Sequence, residues 1–315
     1  MQFRNLGPSG LRVSVVGLGC NNFGGRIDDA AAKAVIHKAF DVGITLFDTA
    51  DAYGNMGGSE TVMGGILGGR RKDIVLATKF ALPMDKDGKL QGGSRRYIMS
   101  AVEASLKRLK TDYIDLYQFH KPDPLTPIEE TLRALDDLVR SGKVRYIGCS
   151  NLPGWQVIDA DWTSRANGLN RFISCQDEYS LLVRKHEKDL FSAMTSKGLS
   201  LLPYFPLANG LLTGKYKRNA AMPAGARMTK EAARAEQVLT DQNWAIAEKL
   251  DDFAKSRGHT LLELAFSWLA SKPFVASVIA GATKPEQVEA NDKAASWLMS
   301  ADDIAEADKI TAAKV

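Results

Sequence analysis

The sequence predicts an α/β fold closed into a (β/α)8 TIM barrel, and three observations carry that prediction. Eight short runs rich in Val, Ile and Leu alternate with longer amphipathic stretches. Their near-continuous apolarity marks strands of a parallel sheet covered by helices. The 315 residues suit one barrel of ~250 residues plus insertions. No Pro- or Ser-rich linker and no repeat of fixed period divides the chain, so it reads as a single domain over 1–315. An open doubly wound sheet is the competing architecture; the count of eight and the lack of a second domain favour the barrel.

The elements follow in order. QFRNL and LRVSV flank the turn GPSG and predict an N-terminal β-hairpin. The strands are expected at 15–19, 44–48, 73–79, 113–120, 144–150, 172–176, 199–204 and 275–281. A helix over 28–42 opens on Asp28 and Asp29 and stops at Gly43. One over 95–110 lines up Ile98, Val102, Leu106 and Leu109 on one face. One over 127–141 begins with Pro127 and ends at Gly142. Helices over 241–257, 260–271 and 285–296 complete the C-terminal half. Two connections, 80–95 and 209–240, are too long for plain linkers. Both follow strand C-termini, so they are expected as long βα loops over the C-terminal face, where a barrel carries its active site.

Bulk properties narrow the partners. Hydrophobic residues make up 45% and charged residues 25%, ordinary for a globular chain. The net charge of +4 is spread out, and GGRRKD at 68–73 reads as a solvated turn before a strand, not a nucleic-acid patch. The three cysteines, Cys20, Cys149 and Cys175, show no zinc spacing and read as buried thiols of a reducing compartment. MQFRNLGPSG has no apolar signal region, and LLELAFSWLA is too short to span a bilayer. No membrane or nucleic-acid partner and a cytoplasmic location are expected.

Polar residues stand where the apolar runs end: Asp48, Lys79, His120, Ser150, Gln176 and Tyr204, with Tyr53 just beyond the second run. For any one of them a satisfied polar residue at a barrel mouth is the simpler reading. Together, strand C-termini that converge on one rim would ring a single cavity with them. A free Tyr titrates near ~10, so Tyr53 needs tuning to carry protons; a Lys79 ammonium held by Asp48 is expected to lower it. His120 would orient a carbonyl oxygen. The set lacks a nucleophile with an adjacent base, and only His120 among the four histidines sits at a strand tip, which argues against a metal-dependent isomerase or hydrolase. A proton donor without a nucleophile points to a hydride delivered by a cofactor. The dinucleotide fingerprint fails at Asn22 of GLGCNN. A later turn, VIAGATKPEQVEAN at 278–291, places Lys284 at a helix start and forms a candidate anion site. An ordinary βα turn with a solvated Lys fits that local pattern equally well.

FDTADAYGNMGGSE (47–60), ATKF (77–80), LYQFHKPDP (116–124), VRYIGCSN (144–151), YFPLANGLLTGKY (204–216) and IAGATKPEQVEAN (279–291) resemble aldo-keto reductases over essentially the whole chain. The nearest-looking branch is the bacterial reductases similar to potassium-channel β subunits. The resemblance implies an NADPH-dependent reductase of aldehydes or ketones, with Asp48, Tyr53, Lys79 and His120 as its catalytic tetrad. It implies that Ser150, Asn151 and Gln176 hold the nicotinamide carboxamide and that Tyr204 stacks on the ring. Phe205, Pro206, Leu207, Ala208 and Lys215 would line the pyrophosphate path, and Arg227 would clasp the cofactor. Gly281, Thr283, Lys284, Gln287 and Asn291 would bind the adenosine end, Cys20 and Asn21 would touch the cofactor from the first loop, and Asp48 would also contact it. Asn22, Phe23, Tyr53, Phe80 and His120 would wall the substrate pocket. Position 21 is Asn where relatives often have a bulkier residue, and Ala290 stands where many place Glu; with Lys284 this favours NADP(H). The long loops hint at bulky substrates, sugar-like or xenobiotic carbonyls such as fungal toxins. The expected partner is a small carbonyl or alcohol, and the expected state a monomer or weak homo-oligomer. The competing function is a cofactor-sensing regulatory subunit with little turnover.

Overall fold

β1 (Phe3–Asn5) and β2 (Arg12–Ser14) form the expected antiparallel hairpin in the computed structural model, which describes residues 1–312, Lys230 by its backbone alone. Eight parallel strands follow: β3 (Val16–Gly19), β4 (Leu46–Asp48), β5 (Val75–Phe80), β6 (Ile114–Phe119), β7 (Val144–Ser150), β8 (Phe172–Gln176), β9 (Ser200–Leu201) and β10 (Val278–Gly281). They lie in chain order except that β10 returns beside β3. The sheet curls until its ends meet. Leu201 bridges Val275 in parallel, Leu201 N–H donates to Phe274 O at 2.7 Å, and Ile279 N–H donates to Pro203 O at 3.0 Å. The strand expected over 199–204 shortens to two residues, with Pro203, which has no N–H to give, just beyond it.

Strand alternation divides the core in two. Leu46, Val75, Ala77, Leu116 and Ile279 fill the barrel interior, with Leu6 and Val13 of the hairpin plugging its N-terminal end. Leu76, Phe80, Tyr117, Phe119, Ile147 and Cys175 point the other way and pack under the helices. The hairpin is fastened by Arg4, which donates to Ala270 O at 2.5 Å and Val275 O at 2.6 Å.

The expected helices appear, the first with its expected Asp28 cap. In α1 (Asp29–Asp41) Asp28 accepts from Ala31 N, and in α3 (Arg95–Leu109) Ser94 accepts from Tyr97 N. Between them α2 (Tyr53–Leu67) is an addition to the sequence reading, hidden by the glycines of YGNMGG. Residues 54–57 take left-handed angles within it. At Gly54 (φ +67°) a Cβ would lie 2.4 Å from Phe23 O and 2.5 Å from Ser59 N, so only glycine lets the first and second βα loops meet. Then come α4 (Ile128–Arg140), α5 (Gly154–Ala166), α6 (Leu190–Ser196), α7 (Arg227–Lys230), α8 (Ala232–Val238), α9 (Asp241–Ser256), α10 (Leu261–Ala270), α11 (Pro285–Ala294) and α12 (Ala301–Thr311). The short α7 and α8 break up the second long loop.

GGRRKD forms the expected turn before β5, and five of its six residues are exposed. Arg71 is buried, paired with Asp115 at 2.8 Å and stacked 4.2 Å over Tyr113. It borders an open cleft of about 880 Å³, lined also by Lys72, Lys107 and Lys110, and none of the strand-tip residues reaches that cleft. Among the described residues no helix is long and apolar enough to cross a membrane.

Candidate active site

The inward side of each strand end now fixes one side chain. Asp48 of β4 and Lys79 of β5 meet at 2.7 Å through Asp48 Oδ2, both buried. Lys79 Nζ also donates to Thr49 O at 2.8 Å. Asp48 Oδ1 accepts from Gln118 Nε2 of β6 at 3.1 Å and Gln176 Nε2 of β8 at 2.8 Å. A buried ion pair is tolerable only when its remaining polar atoms find partners, and these do. Burial alone would pull the Lys79 pKa down; Asp48 and Tyr53 outweigh it and push it above the usual lysine value.

Tyr53, the first residue of α2, lies over this pair, half-buried. Lys79 Nζ is 5.0 Å from its ring centroid. His120, one residue past β6, meets the same ring edge-on at 5.7 Å and 80°. Burial raises the phenol pKa, Asp48 and Asp51 reinforce this, and Lys79 only partly opposes it. The sequence expectation of a lowered Tyr53 is therefore corrected: loss of water around the phenolate outweighs the ammonium. A protonated phenol is a donor throughout the neutral range. His120 is neutral there too, pushed well below its usual value by burial and then by Lys79 and Lys121. Its Nδ1 is buried without a hydrogen-bond partner. A proton donor and a neutral imidazole beside it can share one carbonyl oxygen.

The rim continues the network. Ser150 Oγ donates to Gln176 O at 2.7 Å. Asn151, at φ +60°, donates from Nδ2 to Ser150 Oγ (2.9 Å) and His120 O (3.0 Å) and accepts the Tyr204 hydroxyl at 2.8 Å. Phe205 sits edge-on to Tyr204 at 5.2 Å, and the guanidinium groups of Arg227 and Arg234 lie 5.4 and 5.1 Å from its ring centroid. Pro206 and Leu207 lead through a turn closed by Ala208 N–H on Phe205 O at 2.9 Å. Arg227 donates to Asn22 Oδ1 at 3.3 Å, and Asn22 Nδ2 donates to Ala282 O at 3.1 Å. Lys215 is exposed, its pKa lowered by partial burial of the ammonium and by Arg227. A Cβ on Gly281 would lie 3.3 Å from Asn21 Oδ1, so the first loop abuts the late turn. There Gln287 Oε1 accepts from Thr283 N at 2.7 Å, Lys284 caps α11 ahead of Pro285, and Asn291 is buried below.

Three expected contact residues are not at the surface. Cys20, Phe23 and Phe80 are each 0% exposed. The Cys20 thiol turns to Leu18 O at 3.5 Å, and Phe80 stacks on Phe119 at 5.6 Å in the helix-facing layer. The reason is alternation: Lys79 points into the barrel, so its neighbour Phe80 must point out. All three side chains belong to the buried core.

Two residues enter that the sequence reading passed over. Gln118 is one; a polar residue in phase with His120 on one strand was its available signal. Asp51 is the other. It is buried beside Glu60, accepts the Tyr97 hydroxyl at 3.1 Å and keeps Oδ1 unpartnered. Burial, and then Glu60, push its pKa up to about 7. Asp177 is also pushed up to about 7 by burial; neither carboxyl oxygen accepts a hydrogen bond, and His186 Nε2 stands 4.0 Å from Oδ1. Unfolded, either group titrates near ~3.9, so between those values the folded chain keeps protons that the unfolded chain has released. Stability is therefore expected to fall as pH rises from about 4 to about 7, by on the order of 1–4 kcal/mol per group. Asp51→Asn with Asp177→Asn should flatten this fall; urea midpoints at acid and alkaline pH check it.

The chain resembles known proteins over most of its length. The sequence profile described as "Aldo/keto reductase family" matches residues 15–312. The chain is 39% identical over 305 residues to a protein of Arabidopsis thaliana named "Probable voltage-gated potassium channel subunit beta", covering 93% of this chain and 91% of that one. It is 37% identical to the uncharacterized oxidoreductase YrpG of Bacillus subtilis, with 93% and 91% covered. To the L-glyceraldehyde 3-phosphate reductase of Escherichia coli K12 it is 35% identical, with 93% and 87% covered.

Proposed function

Because the chain belongs to the aldo/keto reductase family, oxidoreductases of carbonyl and alcohol groups that generally use NAD(P)H, we propose that it is an NADPH-dependent carbonyl reductase acting as one unit over 1–315. The observation that carries this reading is the protonated Tyr53 phenol beside the buried Asp48–Lys79 pair and neutral His120. The residues present suit the cofactor. Lys284 pairs with no acid among the described residues and stands at the start of α11, where backbone amides attract phosphate. Lys215, Arg227 and Arg234 add positive charge along the path toward Tyr204.

When bound, NADPH supplies the hydride; the chain supplies everything else. Ser150, Asn151 and Gln176 bind the carboxamide end, Tyr204 covers it, and Thr283, Lys284, Gln287 and Asn291 hold the adenosine 2′-phosphate end. His120 orients the substrate oxygen, and the Tyr53 hydroxyl gives it a proton. Lys79, fixed by Asp48, stabilises the phenolate left behind. In alcohol oxidation Tyr53 is the base, and its raised pKa means that this direction speeds up toward alkaline pH. The substrate is a small or bulky aldehyde or ketone, and the protein is a cytoplasmic monomer or weak homo-oligomer.

The test is NADPH consumption with 4-nitrobenzaldehyde, glyceraldehyde 3-phosphate and bulkier ketones, run in parallel with NADH. NADPH should be the better cofactor. Lys284→Glu should raise its KM roughly tenfold or more, ~1.4 kcal/mol, and leave NADH nearly unaffected. Equal use of both cofactors by the unaltered protein would overturn the NADPH assignment. No turnover across the panel, with NADPH still bound, would favour a cofactor-sensing regulatory subunit, the reading prompted by the Arabidopsis relative's name.

A further inference from the structure

Gln118 is fully buried on β6, two residues before His120 and on the same inward side of the barrel. Its Nε2 donates to Asp48 Oδ1 at 3.1 Å, while its Oε1 has no partner. A fully buried amide that leaves its carbonyl unpaired carries a desolvation cost of about 1–3 kcal/mol. The fold makes room for it nonetheless. Gln118 is in register with Gly148 of β7, where a Cβ would lie 3.3 Å from Gln118 Cγ and 2.6 Å from Ser174 Oγ. A side chain at 148 would press the amide off its place. Gln118 reaches no rim atom, so its one directed interaction is with Asp48.

That interaction completes a three-point mount. Lys79 takes Oδ2, and Gln176 of β8 and Gln118 of β6, the two strands that flank β7, both take Oδ1. Gln176 ends its strand next to the rim and would be drawn on by a bound ligand. Gln118 lies one step deeper and keeps its hold whatever occupies the rim. We propose that Gln118 is a positioning residue: its amide fixes the Asp48 carboxylate so that Lys79 stays against the Tyr53 phenol. The inference rests on the carbonyl-reductase reading for its kinetic consequence, but not for its geometry.

The consequence follows from the chain of contacts. Without the Gln118 donor the carboxylate can rotate about the two remaining bonds, and the Lys79 ammonium moves with it. An ångström of misplacement in such an assembly costs on the order of a hundredfold in rate. A less well-placed ammonium also stabilises the Tyr53 phenolate less, so the phenol holds its proton to higher pH.

The test uses Gln118→Met, which keeps the volume and removes the donor, and Gln118→Glu, which donates only while protonated. Gln118→Met should lower kcat roughly tenfold to a hundredfold with KM for NADPH little changed. It should also move the alkaline inflection of alcohol oxidation upward. Gln118→Glu should regain activity at low pH, where one proton is shared with Asp48, and lose it as the two carboxylates come to face each other. A purely structural role would depress kcat without moving the inflection and without low-pH rescue; that result, or wild-type kinetics in Gln118→Met, overturns the proposal. If the unaltered protein turns over no carbonyl, the functional reading fails separately. The inference is then decided by ultraviolet titration of the Tyr53 phenol, taken as the difference from Tyr53→Phe. An unchanged phenol titration in Gln118→Met refutes it.

Discussion

Tyr53→Phe is expected to lower carbonyl reduction by about 10²–10⁴-fold while NADPH binding stays near wild type. The change removes one oxygen from a half-buried ring and leaves the ring's edge contact with His120 and its place over Lys79 intact. Nothing in the rim network uses that oxygen: Tyr204, Asn151, Ser150 and Gln176 are joined to one another and to Asp48. Binding and chemistry should therefore separate, with KM for NADPH held and kcat lost. The pH dependence adds a second check. Because burial keeps the phenol protonated, reduction by the unaltered protein should be flat across neutral pH, whereas oxidation should climb toward alkaline pH. Steady-state rates in both directions, with cofactor binding followed by tryptophan fluorescence, decide it. Retained turnover in Tyr53→Phe would remove the phenol from the reaction.

The barrel and the six polar strand tips were legible because both depend on periodicity. Runs ending in Asp48, Lys79 and His120 announce strands, and parallel strands in a closed sheet must bring their C-terminal ends to one rim. What periodicity offered but the reading left unused was the other half of the alternation. Lys79 inward requires Phe80 outward, and the same step sends Cys20 into the core. Gln118 was masked by its neighbours, since a single amide inside YIDLYQFH reads as part of an apolar run. The direction of the Tyr53 shift was beyond reach for a different reason. It is a contest between an ammonium and the loss of water, and a sequence names the ammonium without showing how deep the phenol lies. α2 was hidden because its opening turn is left-handed and glycine-rich, and that irregularity is what carries Tyr53 back over the barrel mouth.

Lys79→Met tests whether the buried pair serves stability, chemistry or both, and the two should part company. Lys79 is fully buried and donates hydrogen bonds to Asp48 Oδ2 and to Thr49 O. Its removal leaves the Asp48 carboxylate with two neutral amide donors and no cation, a change that typically costs about 3–5 kcal/mol. Reduction should fall by about 10³-fold or more, since the phenolate left by proton donation loses the charge that stabilises it. Adding Asp48→Asn to Lys79→Met removes the stranded charge. An amide of the same shape can still meet Gln118 and Gln176 with its oxygen, so much of the lost stability should return. Activity should not return, because no cation stands beside Tyr53. Urea denaturation of the two single variants and the double, with turnover measured on each, reads both quantities at once. A double variant as unstable as the sum of the singles would mean that the two residues are not coupled through their charges. A double variant that recovered turnover would mean that the ammonium has no part in moving the proton.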